Sequence, residues 1–218
     1  LGEGTSEVWF STALARELKL DLDRHNISNL SVEGVGFKPY VAICNALNIS
    51  WVLRTDNDIF SKTSVTPVKK YYAGISRGIG IVKDIGDNKT GLIEYWNQHS
   101  KENEWPKDAE IPEEAKKLNE YIRTNIKDLG IFLSDVDLEN DLASSELKDT
   151  LMNHYGKRDH DDLVNAMQKK KAENMMEFLT KNHKELSCLE ESKIVEPLTS
   201  LIRITTERTR PENGERTN

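Results

Sequence analysis

The chain has 218 residues, 37% of them hydrophobic, enough for one core with an added helical segment. Its net charge of −7 excludes a uniformly basic nucleic-acid binder, although an acidic metal site and a local basic strip can coexist. No apolar run approaches the roughly 18 residues of a membrane span, no signal-peptide pattern is seen in these residues, so neither membrane insertion nor secretion is expected, and Cys44 and Cys188 form no metal-type spacing. A reducing cytoplasm is therefore expected, with Cys44 as a small buried residue.

In chain order, Leu1-Gly-Glu-Gly places an acid almost at the start. A parallel strand buried on both faces needs several apolar residues. The chain is thus expected to begin inside its first strand, with a region missing before it. Ser6 is the expected N-cap of a helix carrying Phe10, Ala13, Leu14 and Leu18. Residues 29–35 read as a strand, Gly34 and Gly36 as a turn, and Pro39 as the first turn of a helix ending at Leu47. Ile49 to Thr55 is the next strand. Alternation of this kind predicts a right-handed parallel α/β layer.

After Asp58 the pattern weakens. Pro67 to Ile85 reads as a helix interrupted by Gly74, Gly78 and Gly80, and residues 86–112 are polar and rich in turn formers. Helical spacing returns from Pro112 to Lys127, and Gly130 to Ser134 is a short strand. The remainder is helical over about 138–154, 160–182 and 193–206. The organisation expected is an α/β core over 1–136 with a polar insertion near 61–129, a helical extension over 137–207 that completes the active site, and a disordered tail over 208–218.

Three acidic clusters follow short apolar runs: Glu3, then Asp56 and Asp58 after Trp51-Val-Leu-Arg-Thr, then Asp135, Asp137 and Glu139 after Gly130-Ile-Phe-Leu-Ser. Carboxylates at the carboxyl ends of neighbouring parallel strands lie where open α/β sheets build their ligand sites. They repel one another unless a hard cation neutralises them, and oxygen-only ligands select magnesium or manganese. Bland alternatives stand beside this reading. Glu7 also fits an ordinary first-turn acid, Asp56 and Asp58 turn residues, Asp137 a helix N-cap, and Lys169 to Lys171 a solvated face. His25, His99, His154, His160 and His183 have no ligand spacing, and Asp135 reads either as a support behind the metal ligands or as exposed.

Leu1-Gly-Glu-Gly-Thr-Ser-Glu7, Val32-Glu-Gly-Val-Gly-Phe-Lys-Pro-Tyr40 and Leu53-Arg-Thr-Asp-Asn-Asp58 together resemble the Toprim domain of the OLD-family (overcoming lysogenization defect) nucleases. Ile131-Phe-Leu-Ser-Asp-Val-Asp-Leu-Glu139 and the Lys-rich helix from Gln168 to Leu179 resemble the C-terminal region of that family, which includes the nuclease subunit of the Gabija anti-phage system. The resemblance covers residues 1–60 and 130–182. It departs at Glu7, where many members carry Asp, and in the shortened first strand.

The resemblance implies a Toprim fold, a Rossmann-like parallel sheet with flanking helices, plus a helical C-terminal extension. It implies a Mg2+-dependent DNA endonuclease with two ions, for which Mn2+ or Ca2+ can substitute in binding. Glu3, Asp56 and Asp58 would hold one ion, and Glu7, Asp137 and Glu139 the second. Glu3, Asp56 and Lys171 would be catalytic. Lys171 is favoured over Lys169 and Lys170 because it lies four positions before Met175. Removing Glu3 or Asp56 is expected to cost little fold stability, since it relieves repulsion. The resemblance further implies a missing N-terminal ABC-type ATPase in the same chain, homo-oligomerisation through it, a helicase-like partner subunit, DNA as substrate and no membrane. The alternatives are another Toprim enzyme, a primase or topoisomerase fragment, and a non-catalytic, response-regulator-like module regulated by one metal.

Overall fold

A computed structural model describes residues 1–86 and 91–209 of the protein. Its elements are α1 (Thr5–Glu17), α2 (Phe37–Ala46), β1 (Leu53–Thr55), β2 (Ile59–Lys62), β3 (Lys69–Tyr72), α3 (Ala73–Ile85), α4 (Leu92–His99), β4 (Trp105–Pro106), α5 (Glu113–Ile126), β5 (Ile131–Leu133), α6 (Leu138–Ala143), α7 (Lys148–Tyr155), α8 (His160–Gln168), α9 (Lys171–Asn182) and α10 (Glu196–Thr209). The fold is α/β with a parallel sheet and a helical extension. Among the described residues no helix is long and apolar enough to cross a membrane.

The parallel sheet is short. β1 pairs with β5 from Leu53 opposite Ile131 to Thr55 opposite Leu133. On the other side of β1, Leu1 donates its amino group to Val52 O at 2.7 Å and accepts Arg54 N–H at 3.0 Å. Gly2 then bridges in parallel to Ser31. Residues 30–32, residues 1–2, β1 and β5 therefore lie side by side, and all run toward one end. The strand expected over residues 29–35 shrinks to this bridge because Glu33 takes a left-handed backbone, φ 51°. Pairing of β1 begins only at Leu53 rather than Ile49.

A second, antiparallel sheet orders β2, β3 and β4. It replaces the front of the helix expected from Pro67, since α3 starts only at Ala73. The glycines inside α3 are packing sites. A Cβ on Gly74 would come within 2.6 Å of Asn57 Oδ1 and Asp56 O, so only glycine lets α3 begin against that loop. The stretch expected to be a polar insertion contributes Ile75, Ile79, Leu118, Ile122 and Ile126, all fully buried beside Leu53 and Ile131.

A second apolar cluster joins Phe10 and Leu14 of α1 to Leu142, Leu163, Phe178 and Leu179 of the extension. Because α1 follows Glu3 directly, this packing carries the extension back to the sheet. The helix expected over 160–182 is broken, with Lys170 in a left-handed backbone, φ 52°, between α8 and α9. α1 is capped at Gly4 rather than Ser6, the Glu7 carboxylate accepting Gly4 N–H at 2.9 Å. Cys44 is half-buried rather than buried. α10 runs past residue 207 to Thr209, and the rest of the expected tail, 210–218, lies outside the described residues.

Candidate active site

All three acidic clusters lie at the carboxyl ends of the parallel segments, as their apolar leaders require. Glu3 is held in place. Its Oε1 accepts Asp56 N–H at 3.0 Å, Arg77 Nη1 at 2.8 Å and the Thr55 hydroxyl. Arg77 also donates to Asp56 O at 3.1 Å and to Thr55 Oγ1. Asn57 anchors the loop beneath, accepting Ile75 N–H and donating to Asn119 at 2.8 Å.

Asp56 is 7% exposed. Burial, then the charge of Glu3, pushes its carboxyl up to about 8, with Lys171 opposing. Asp58 is half-buried and also shifted upward, first by burial and then by Asp137 and Glu3. The clusters after β1 and β5 therefore feel one another's charge.

Asp137 takes up the N-cap position of α6, its Oδ1 accepting Asn140 N–H at 2.8 Å. Its Oδ2 accepts Gln168 Nε2 at 2.6 Å and lies 4.0 Å from Lys171 Nζ. Glu139, one position into the same turn beyond Leu138, is almost fully buried, with Oε2 2.8 Å from Lys171 Nζ. Burial raises the Glu139 carboxyl and Lys171 counters it. Burial alone would lower the Lys171 ammonium, but Glu139, Asp56 and Asp137 outweigh it and raise it above its ordinary value.

The break at Lys170 explains this aim. Lys171 opens α9 toward the acids, whereas Lys170 pairs with Glu173 on the surface at 2.9 Å. Lys169 is exposed. Asp135 is exposed and pairs with Arg123. Glu7 turns its carboxylate to Gly4 N–H and the Ser6 hydroxyl, yet its charge still reaches Asp56.

The donor set fits hard divalent cations. It is all oxygen and partly buried, and burial together with the charge of Glu3 holds Asp56 protonated to about pH 8, a bias that a bound cation would reverse. Among the described residues no three of these side chains already converge at ligand spacing. Glu3 is turned to Arg77 and Asp137 to Gln168 instead.

Sequence reasoning missed Arg77, Gln168 and a partly buried pair behind the site, Arg54 with Asp141 at 2.6 Å, where Arg54 also donates to Ser134. A charge inside a three-residue strand was a signal for Arg54, and an acid four positions after Asp137 for Asp141. Arg77 had none, since its helix was read as broken.

Residues 1–58 match the family model of the overcoming lysogenization defect protein-like TOPRIM domain. The chain is 28% identical over 210 residues to Endonuclease GajA of Bacillus cereus (strain VD045), covering 87% of this chain and 33% of that protein. It thus spans about a third of the length of that curated relative. Among solved structures it is similar to the C-terminal region of the Xanthomonas campestris pv. campestris OLD protein. One structure gives a TM-score of 0.51 at 16% identity, covering 95% of this chain and 92% of that one; another gives 0.51 at 17%, covering 95% and 94%. The likeness drawn from the motifs at residues 1–7, 32–40 and 53–58 to the Toprim domain of the OLD-family nucleases is borne out.

Proposed function

We propose, from the match of residues 1–58 to the OLD-like Toprim domain, that this chain is the nuclease part of a longer ATPase-nuclease, a Mg2+-dependent DNA endonuclease acting in anti-phage defence. The observation that carries this reading is the ammonium of Lys171, brought by a helix more than thirty residues downstream to 2.8 Å from Glu139 and 4.0 Å from Asp137, where Asp56 also feels its charge. A half-buried cation held among acids is what phosphodiester chemistry needs beside its metal ligands.

Glu3, Asp56 and Asp58 would hold one divalent ion, and Glu7, Asp137 and Glu139 a second. When bound, the two ions supply the positive charge that stabilises the attacking and leaving oxygens of an in-line displacement. In that displacement a water oxygen bonds to phosphorus and gives up a proton to solvent, the bond from phosphorus to the departing nucleoside oxygen breaks, and that oxygen takes up a proton. Lys171, protonated at neutral pH, is suited to face the scissile phosphate or the departing oxygen. Arg77 orients Glu3, and Gln168 fixes Asp137.

The ATPase region, homo-oligomerisation and a helicase-like partner belong to the same proposal. The test is plasmid cleavage by the chain at fixed free magnesium, beside Asp56→Ala with its fold checked by circular dichroism. Nicking or cutting that disappears in Asp56→Ala is expected. Full activity in the folded variant overturns the reading.

A further inference from the structure

Asp58 is followed without a break by β2, so the antiparallel sheet grows directly out of the acid cluster. The root is pinned there, with Ala73 N–H donating to Asp58 O at 2.8 Å. Residues 59–72 contain Lys62, Lys69 and Lys70 and no acid, in a chain of net charge −7. The register sorts these side chains. Phe60 faces Tyr71 and Lys62 faces Lys69 across the pair, so all four share one face of the ribbon.

Three of the four, Lys62, Lys69 and Tyr71, line a groove of 740 Å³ whose walls also include Trp96 and Lys101, and Phe60 continues the face beside it. Its single carboxylate, Glu104, accepts both Lys62 at 2.6 Å and Lys69 at 3.1 Å, leaving the groove positive. Phe60 is 47% exposed on the same face. Fixed ammonium groups beside open aromatic faces form a platform that tracks a nucleic-acid backbone while bases stack on it. From Ile59 to Lys62 is about 10 Å of strand.

We propose that this groove binds an unpaired DNA strand as it leaves the acid cluster, its phosphates on Lys62 and Lys69 and a base on Phe60. The proposal rests on the nuclease reading for its substrate but names a surface that none of the predicted metal or catalytic residues touches. Glu104 acts within it as a built-in competitor for the phosphates.

The experiment measures fluorescence anisotropy of a labelled single-stranded oligodeoxynucleotide in calcium buffer over a salt series, with the 218-residue chain. Lys62→Ala/Lys69→Ala should weaken binding by more than tenfold and shrink the salt slope by about 1.4, at ~0.7 for each phosphate no longer neutralised on a single strand. Phe60→Ala should weaken binding about tenfold with the slope unchanged. Glu104→Gln should tighten binding, a sign that a merely structural role would not produce. The reference is Lys181→Ala/Lys184→Ala, which removes the same charge from the extension. Weakening no greater than in the reference, weaker binding by Glu104→Gln, or an effect confined to duplex DNA overturns the proposal. If these shifts appear in a chain that cleaves nothing, the groove stands and the nuclease reading falls; if the chain cleaves without them, the groove falls and the nuclease reading stands.

Discussion

Arg77 Nη1 lies 2.8 Å from Glu3 Oε1, joining the third residue of the chain to the middle of α3. Both side chains are largely withdrawn from solvent, 12% and 16% exposed. Repulsion among the acids led to the expectation that losing Glu3 is nearly harmless to the fold. The ion pair argues the other way, because deleting one partner of a partly buried pair strands the other.

Glu3→Ala should therefore destabilise the chain by about 3 kcal/mol, the low end for a buried pair, since Arg77 keeps Thr55 and Asp56 O as acceptors. Arg77→Met should cost a similar amount, and the double variant clearly less than the sum. Urea unfolding of the four proteins in EDTA closes the cycle. Additive losses would mean the pair contributes nothing.

Asp56 makes the metal-free fold sensitive to alkali. Its carboxyl is held near 8 in the folded chain against about 3.9 when unfolded, so between those values the folded state keeps a proton that the unfolded state has lost. Stability should fall as pH rises through that window, by at most about 1.4 kcal/mol per pH unit, and level off above 8. Asp56→Asn, neutral throughout, should remove that slope and be the more stable protein at pH 8 in EDTA. Magnesium should restore stability to the parent at pH 8 and much less to the variant. Parallel melting curves of the two proteins across pH 4–9 in EDTA would sink this account.

The acid clusters were legible because strand ends mark themselves: an apolar run followed by Asp-x-Asp can be read without coordinates. The order of α1, α2, α5 and the extension followed from helical spacing for the same reason. The ribbon of β2 and β3 was not legible, since Lys69-Lys-Tyr-Tyr72 has no apolar alternation to mark it; its pairing depends on burial of Tyr72 against Trp105. α3 was misjudged because glycines that break an isolated helix here allow close approach to Asp56 and Ile126. The turn at Lys170, which aims Lys171, is a tertiary outcome that local propensity opposes.

Lys171→Ala should lower turnover by two to three powers of ten, the range for losing one donor aimed at developing charge. DNA affinity should change only modestly, because Lys171 is one of several cations that meet the phosphates. Lys169→Ala and Lys170→Ala should retain near-parent turnover, Lys170 being occupied with Glu173 at the surface. Single-turnover cleavage at saturating DNA separates the two effects. A large rate loss in Lys170→Ala with Lys171→Ala unaffected would move the assignment by one residue.

Gly74→Ala tests whether the acid loop is positioned by α3. The new methyl would lie 2.6 Å from both Asn57 Oδ1 and Asp56 O, and neither can yield easily. Asp56 O also accepts Arg77, while Asn57 is tied to Ile75 N–H, Asn119 and, through its own N–H, Val136 O at 2.7 Å. Relief must come from displacing the helix or the loop, which should cost about 1–3 kcal/mol, as other overpacked sites do. Because the loop carries Asp56 and Asp58, calcium affinity measured by calorimetry should drop along with the melting temperature. Gly80→Ala in the same helix meets only the flexible end of Lys38 at 3.5 Å and should leave both unchanged or slightly improved. Equal behaviour of the two variants would show that the close approach at Gly74 does not govern the site.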